Sequence, residues 1–178
     1  MKEGELTYWK ATARLNLKGL SQNPYPGRGI VIGTSEDGLY AVQIYWIMGR
    51  SENSRNRVFC VSGGVLFTEG ADPAKVKDPS LIIYNAMNEY CGVFIVSNGD
   101  QTDTAVIRLT SNASATLRDM LVHRQFEPDV PNFTPRITGV CKPCNSRCSA
   151  SKCFRHKYFG SISQILIFFI TPLSSTPQ

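Results

Sequence analysis

The chain has 178 residues, 42% of them hydrophobic and 19% charged, a balance that fits one globular domain with its own core and excludes a disordered chain. Its formal charge of +5 first suggests an acidic partner, but the excess is confined to the end: the body up to residue 140 has as many basic as acidic side chains, whereas Lys142, Arg147, Lys152, Arg155 and Lys157 face no acid. A body without net charge argues against a general nucleic-acid surface.

The opening MKEGELTYWKATARL lacks the apolar core of a secretory signal. The longest apolar run, ILIFFI at residues 165–170, is far below the roughly 20 residues a membrane helix needs. The expectation is a cytoplasmic protein with no membrane partner and reduced cysteines. The sequons at Asn112 and Asn132 are then chance matches.

In chain order, residues 11–20 have the loose apolar spacing of a short helix, which must stop before NPYPG because two prolines favour an extended segment. RGIVIG and LYAVQIYWIM follow as two strands joined by TSEDG, whose Asp37-Gly38 is a hairpin signal. The second is apolar at Ala41, Val42, Ile44, Tyr45, Trp46 and Ile47, as in a strand covered on both faces. After the loop GRSENSRNR, RVFCV and GVLF predict another hairpin turning at residues 62–64. SLIIYNAM and CGVFIVSNG predict two more strands. TDTAVIRLT and SATLRDMLVHRQF then carry helical spacing, with Ser114 as N-cap of the second. A proline-rich stretch, residues 128–135, precedes a last strand, RITGV. Strands followed by helices predict an α+β layered domain rather than βαβ repeats.

Several patterns invite chemistry and fail on context. The glycines of GRGIVIG precede a strand, whereas a dinucleotide loop follows one and opens a helix; they are read as turn glycines. His123 and His156 are the only histidines, one on a predicted helix and one in the tail, so a nucleophile–histidine pair is poorly supplied. Cys60 and Cys91, flanked by strand residues, are read as small core side chains. Cys141, Cys144, Cys148 and Cys153 form C-x2-C-x3-C-x4-C, which can hold zinc or an iron–sulfur cluster, but one short basic segment lacks the second half of a two-knuckle site. No metal and no cofactor is expected. The remaining cluster is polar. Arg28, Arg50, Arg57 and Arg136 each adjoin a strand, and SNGDQTD follows an apolar one. Arginine forks suit phosphate; solvated loops with surface ion pairs are the equally weighted alternative.

YPGRGI, GRSENSRNRVF, DPSLIIYNAM, VSNGDQTD and TPRITG occur in the order and spacing of the archaeal-type IMP cyclohydrolases and their bacterial relatives, and the chain resembles that family over residues 20–140. The resemblance implies an αββα sandwich like that of the N-terminal-nucleophile hydrolases. It also implies closure of 5-formamidoimidazole-4-carboxamide ribotide to inosine monophosphate with loss of water, a phosphorylated purine-precursor nucleotide as ligand, and a chain able to form a homo-oligomer. On the matching motifs, Arg50, Arg57 and Tyr84 are the implied catalytic residues. Arg28, Ser51, Asn53, Asn85, Asn98, Gly99, Asp100, Thr102 and Arg136 are the implied substrate contacts. The resemblance stops after TPRITGVC, so residues 1–140 are read as the domain and 141–178 as a divergent Cys-rich tail. The strands missing there would leave a sheet edge bare and the sandwich incomplete.

Overall fold

A computed structural model of the chain describes residues 3–35, 40–142, 153–159 and 162–172. The order is α1 (Glu3–Gln22), β1 (Arg28–Thr34), β2 (Tyr40–Ile47), a one-turn α2 (Glu52–Arg55), β3 (Val58–Ser62) and β4 (Val65–Glu69). Two 3-10 turns, Pro73–Lys75 and Pro79–Leu81, lead into β5 (Asn85–Tyr90), β6 (Val93–Ser97), α3 (Gln101–Ser111), α4 (Leu117–Leu121), β7 (Thr138–Cys141), β8 (Cys153–Phe159) and β9 (Ile162–Pro172). The strands form two sheets, β1-β2-β9-β8 and β3-β4-β5-β6-β7, antiparallel throughout. The predicted α+β class holds.

Alternation along the strands sets the layers. On β2, Gln43, Tyr45 and Ile47 are buried while Ile44 and Trp46 between them are only half-buried. The inward set meets Leu66, Ala86, Met87, Phe94 and Val96 of the second sheet, and this is the core between the sheets. The opposite face of the second sheet, through Val93 and Ile95, packs on Ala105 and Leu109 of α3, Ala115, and Met120 of α4. All five positions of β6 are therefore buried, as expected of a strand covered on both faces. The strand predicted to be covered that way was β2, whose apolar run in fact alternates by one face.

α1 begins earlier than predicted and is exposed along most of its length, Tyr8, Trp9, Leu15 and Leu17 included. No helix among the described residues is long and apolar enough to cross a membrane. The predicted strand 80–87 starts only at Asn85, because the Asp78 carboxylate accepts from Ser80 N at 2.9 Å and winds Pro79–Leu81 into a 3-10 turn. The predicted helix 114–126 is one short helix capped not by Ser114 but by Thr116, in a reciprocal box with Asp119. Cys91 is not a core residue: with Gly92 it forms the tight β5–β6 turn, both at positive φ (50° and 74°), the geometry a two-residue hairpin requires, and its side chain is exposed. Cys60 is half-buried.

The tail adds strands where a bare edge was expected. β9 pairs with β2 from Ala41↔Ile170 to Ile47↔Gln164, and β8 pairs with β9. The Asp37-Gly38 turn and Cys144 and Cys148 lie outside the described residues.

One close approach holds the β1–β2 ladder. Gly29 lies opposite Trp46, a Cβ at Gly29 would sit 1.9 Å from the indole Cζ2, and the ring is held by Nε1 donating to Pro26 O at 3.3 Å. Gly29→Ala is therefore expected to lower the melting temperature by roughly 3–10 °C, the range for overpacking in a domain of this size. An unchanged melting curve would show that the indole is not fixed there.

Candidate active site

The loop between β2 and β3 spends most of its polarity on itself. Ser51 and Ser54 cap each other reciprocally around α2 (Ser54 N to Ser51 Oγ 3.1 Å; Ser51 N to Ser54 Oγ 3.0 Å). Arg55 Nε donates to Gly49 O at 2.9 Å and Arg57 Nε to Ser54 O at 2.8 Å. Asn56 Nδ2 donates to Asp72 O and Asp72 N to Asn56 Oδ1, both at 2.8 Å, while Asn53 Oδ1 accepts from Lys77 N at 2.9 Å. Gly49 is required: a Cβ there would lie 2.3 Å from the Ser54 backbone. What the loop presents outward is Arg50, stacked over the Tyr25 ring at 5.5 Å.

This loop forms one wall of a cavity of about 390 Å3, through Arg50, Ser51, Asn53 and Ser54. The opposite wall comes from the irregular segment between α4 and β7, through Glu127, Asp129, Asn132 and Thr134, with Arg28 and Asn98 contributed by the strand ends and Ile82 by the turn before β5. That segment is knotted internally. Asp129 accepts from Thr134 N at 2.7 Å and from Thr134 Oγ1 at 2.5 Å, and Glu127 N donates to Thr134 O at 3.0 Å. Asn98 anchors it to β6, accepting from Ile137 N at 2.8 Å and donating to Pro135 O at 3.0 Å. Arg50 Nη1 reaches across to Asn132 Oδ1 at 3.3 Å.

The strongest contact across the cavity is Arg28 Nη1 to Glu127 Oε1 at 2.5 Å, with the two side chains 16% and 6% exposed. Burial works against the Arg28 charge, yet the Glu127 hydrogen bond and charge hold its pKa above the ordinary value. Behind this pair, in the core, Tyr45 Oη and Tyr84 Oη are 2.8 Å apart. Both phenols couple electrostatically to Arg28 and Arg57. Burial, foremost, pushes both above the ordinary tyrosine value, Tyr45 the further of the two.

Of the residues singled out from the motifs, the structure brings Arg28, Arg50, Ser51, Asn53 and Asn98 to one cavity. Arg57 and Tyr84 are buried beside it. The others gather elsewhere. Asn85 Nδ2 donates to Asp103 Oδ1 at 2.8 Å, and the buried Thr102 hydroxyl bonds that of Ser97. Asp100, just before α3, receives Arg124 and Arg136 (Arg136 Nη1 to Asp100 Oδ1 2.6 Å). Gly99 lets Arg136 pass, since a Cβ there would lie 2.6 Å from its Nη1. Sequence reasoning did not single out Glu127, Asp129, Thr134 or Tyr45. A signal for the first two was present: Glu-Pro-Asp holds the last acidic residues of the chain, set among proline and aromatic residues beside the arginine motifs.

The sequence profile of the family described as IMP cyclohydrolase-like protein matches residues 25–164, which runs past Val140 into the segment of β8 and the start of β9. The chain is 34% identical over 119 residues to an IMP cyclohydrolase of Methanosphaera stadtmanae, and 31% identical over 118 residues to one of Methanothrix thermoacetophila. Each match covers 65% of this chain and 57% of the relative. The chain thus spans little more than half the length of these curated relatives.

The cluster before α3 has a pH signature. Burial opposes ionisation of Asp100, but the hydrogen bonds and charges of Arg124 and Arg136 hold its pKa below the ordinary carboxylate value. A depressed folded pKa stabilises the fold above the unfolded value of about 3.9, and that contribution is lost as pH falls through the folded value. The melting temperature of Asp100→Asn is expected to lie a few degrees below wild type at pH 6, with the gap closing below about pH 4. A gap independent of pH would remove the carboxylate from this role.

Proposed function

The chain belongs to the IMP cyclohydrolase-like protein family, and on that premise we propose that it closes 5-formamidoimidazole-4-carboxamide ribotide to inosine monophosphate. The observation that carries the reading is the Arg28–Glu127 pair lining a cavity whose far wall presents Arg50, Ser51 and Asn53. A cation is paired with a carboxylate at one end, and hydrogen-bond donors that suit a phosphate stand at the other.

The substrate brings its own nucleophile and electrophile, so no covalent enzyme intermediate is needed. The carboxamide nitrogen attacks the formyl carbon and loses a proton as the formyl oxygen gains one. The hydroxyl of the resulting carbinolamine then takes up a proton and leaves as water, while the former formamide nitrogen gives up its hydrogen as the C=N bond forms. The work of the protein is to fold the formamide over, stabilise the oxygen and move the protons. Holding such an intramolecular pair in line corresponds to effective molarities of about 10⁵ to 10⁸ M, and one donor on the developing oxyanion adds roughly 10² to 10³ in rate.

Arg50, with Ser51 and Asn53, grips the phosphate. Arg28, with Arg57 and Tyr84 behind it, polarises the formyl oxygen, Tyr84 acting as a proton donor because burial holds its phenol above the ordinary value. Glu127 receives the carboxamide proton. Asn98 holds the wall against which the base lies. Asn85, Gly99, Asp100, Thr102 and Arg136 support that wall from the α3 side. We read the two sheets and the layer of α3 and α4 as three parts of the αββα sandwich that the resemblance implies. In this reading the ligand is a phosphorylated purine precursor, the reaction is cytoplasmic, neither nucleic acid nor membrane takes part, and copies of the chain can assemble as a homo-oligomer.

The same cavity also suits a second reading, a nucleotide binder without turnover. One experiment separates them: ultraviolet-monitored conversion of the ribotide by purified protein, beside the melting shift with inosine monophosphate. Turnover supports the cyclohydrolase, whereas a shift with background turnover supports the binder. For the cyclohydrolase, Glu127→Gln is expected to lower kcat by about 10² to 10⁴, and Arg50→Ala to raise KM by about tenfold or more while kcat holds. Wild-type rates in both variants would overturn the assignment.

A further inference from the structure

We infer that Tyr45, which does not line the cavity, is a positioning residue: it commits its hydroxyl hydrogen to Tyr84 Oη and so turns the hydrogen of Tyr84 outward, to the oxygen that leaves as water. The inference rests on the cyclisation proposed above and concerns the direction of a single O–H bond.

The argument is a count of hydrogens. Two phenols offer two hydrogens, and their contact at 2.8 Å uses one. Tyr45 is fully buried. Its surroundings are Leu66, Met87, Phe94 and the ring of Phe59 at 5.6 Å between centroids, and among the described residues its hydroxyl bonds Tyr84 Oη alone. A buried hydroxyl hydrogen without an acceptor is rare because losing its water is costly. Tyr45 therefore donates and Tyr84 accepts. Tyr84 keeps a hydrogen that cannot point back at Tyr45, and of the charged groups that act on it, Arg28 of β1 and Glu127 of the opposite wall line the cavity, with Arg57 buried beside it. The two guanidinium groups have no lone pair to receive it. Glu127, bonded to Arg28, acts on Tyr84 through its charge and without a hydrogen bond, which leaves an oxygen of the substrate as the acceptor.

The electrostatics agree in sign. Burial raises the Tyr84 phenol above its ordinary value, while Arg57, the Tyr45 hydroxyl and Arg28 pull it down. Deleting the Tyr45 hydroxyl removes one of the downward influences, so the Tyr84 pKa must rise further. A proton donor is inactivated as pH climbs through its pKa, so the alkaline limb of the rate profile must move up.

Tyr45→Phe tests this, since it keeps the ring and removes only the hydroxyl. The expected result is a kcat lowered by about tenfold with KM within about twofold of wild type, and an alkaline limb displaced upward by about one pH unit. Because Tyr45 acts through Tyr84, the double variant Tyr45→Phe/Tyr84→Phe is expected to lose no more kcat than Tyr84→Phe alone. Additive losses, or an unchanged kcat in Tyr45→Phe, overturn the inference. A readout free of turnover is a carbon-NMR titration of the Tyr84 Cζ, identified by its loss in Tyr84→Phe. The signal is expected to differ between wild type and Tyr45→Phe, titrating at higher pH in the variant, and a signal that coincides at every pH overturns the inference. If wild type fails to convert the ribotide, the cyclisation reading falls and the titration still decides whether the Tyr45 hydroxyl acts on the Tyr84 phenol.

Discussion

Everything polar in the cavity depends on a charge that water cannot reach easily. Arg28 and Glu127 are 99 residues apart in sequence, one at the first residue of β1 and the other in a segment with no regular structure. Removing two such charges from water costs several kcal/mol each, and a lone partner left behind would destabilise the fold by about 3–5 kcal/mol. The pair is thus a constraint more than a bonus. Wherever β1 puts Arg28, residues 122–137 must bring Glu127, and the Asp129–Thr134 bonds and the Asn98 clamp hold that segment within reach. The cavity is the space enclosed when this condition is met.

The loop opposite illustrates how arginine count misleads. GRSENSRNR has three arginines, but Arg55 closes the loop on Gly49 and Arg57 turns inward, with its Nε on Ser54 O. Only Arg50 is left to face a ligand, and it is held over Tyr25. A rigid loop with one fork facing the cavity suits a single small anion better than a flexible patch with three, because less side-chain entropy is lost on binding.

How much of this was legible follows from the range of each interaction. The strand of residues 28–33 and the helix over residues 102–110 were readable because their causes are local. The shorter elements were decided by side chains that compete with the apparent period: Asp78 winds a turn out of a β-rich run, and Thr116 with Asp119 displaces Ser114 as cap. Tyr45 read as one more apolar residue in LYAVQIYWIM, since nothing local says that its hydroxyl meets one 39 residues on. Glu127 was hidden for the same reason. The motifs carried the family and five residues of the cavity; the partners that set their charge and direction came only from the tertiary fold.

A buried pair of phenols is an unusual way to fill the space between two sheets. Two phenylalanines would fill nearly the same volume without any hydroxyl to satisfy, so stability alone does not explain the choice. In the proposed cyclisation, the oxygen that gains a proton and leaves as water needs a neutral donor, held in one direction, in a place where a cation can sharpen its acidity. A surface tyrosine has its acidity set by solvent and its hydrogen free to rotate. A phenol whose oxygen already accepts a hydrogen bond, beside two guanidinium groups and out of bulk water, has neither freedom. The inter-sheet core provides that setting because β2 and the residue just before β5 both turn inward at this level. On the proposed cyclisation, the reacting end of the cavity is assembled by the packing of the sheets, and the loops add the grip on the substrate.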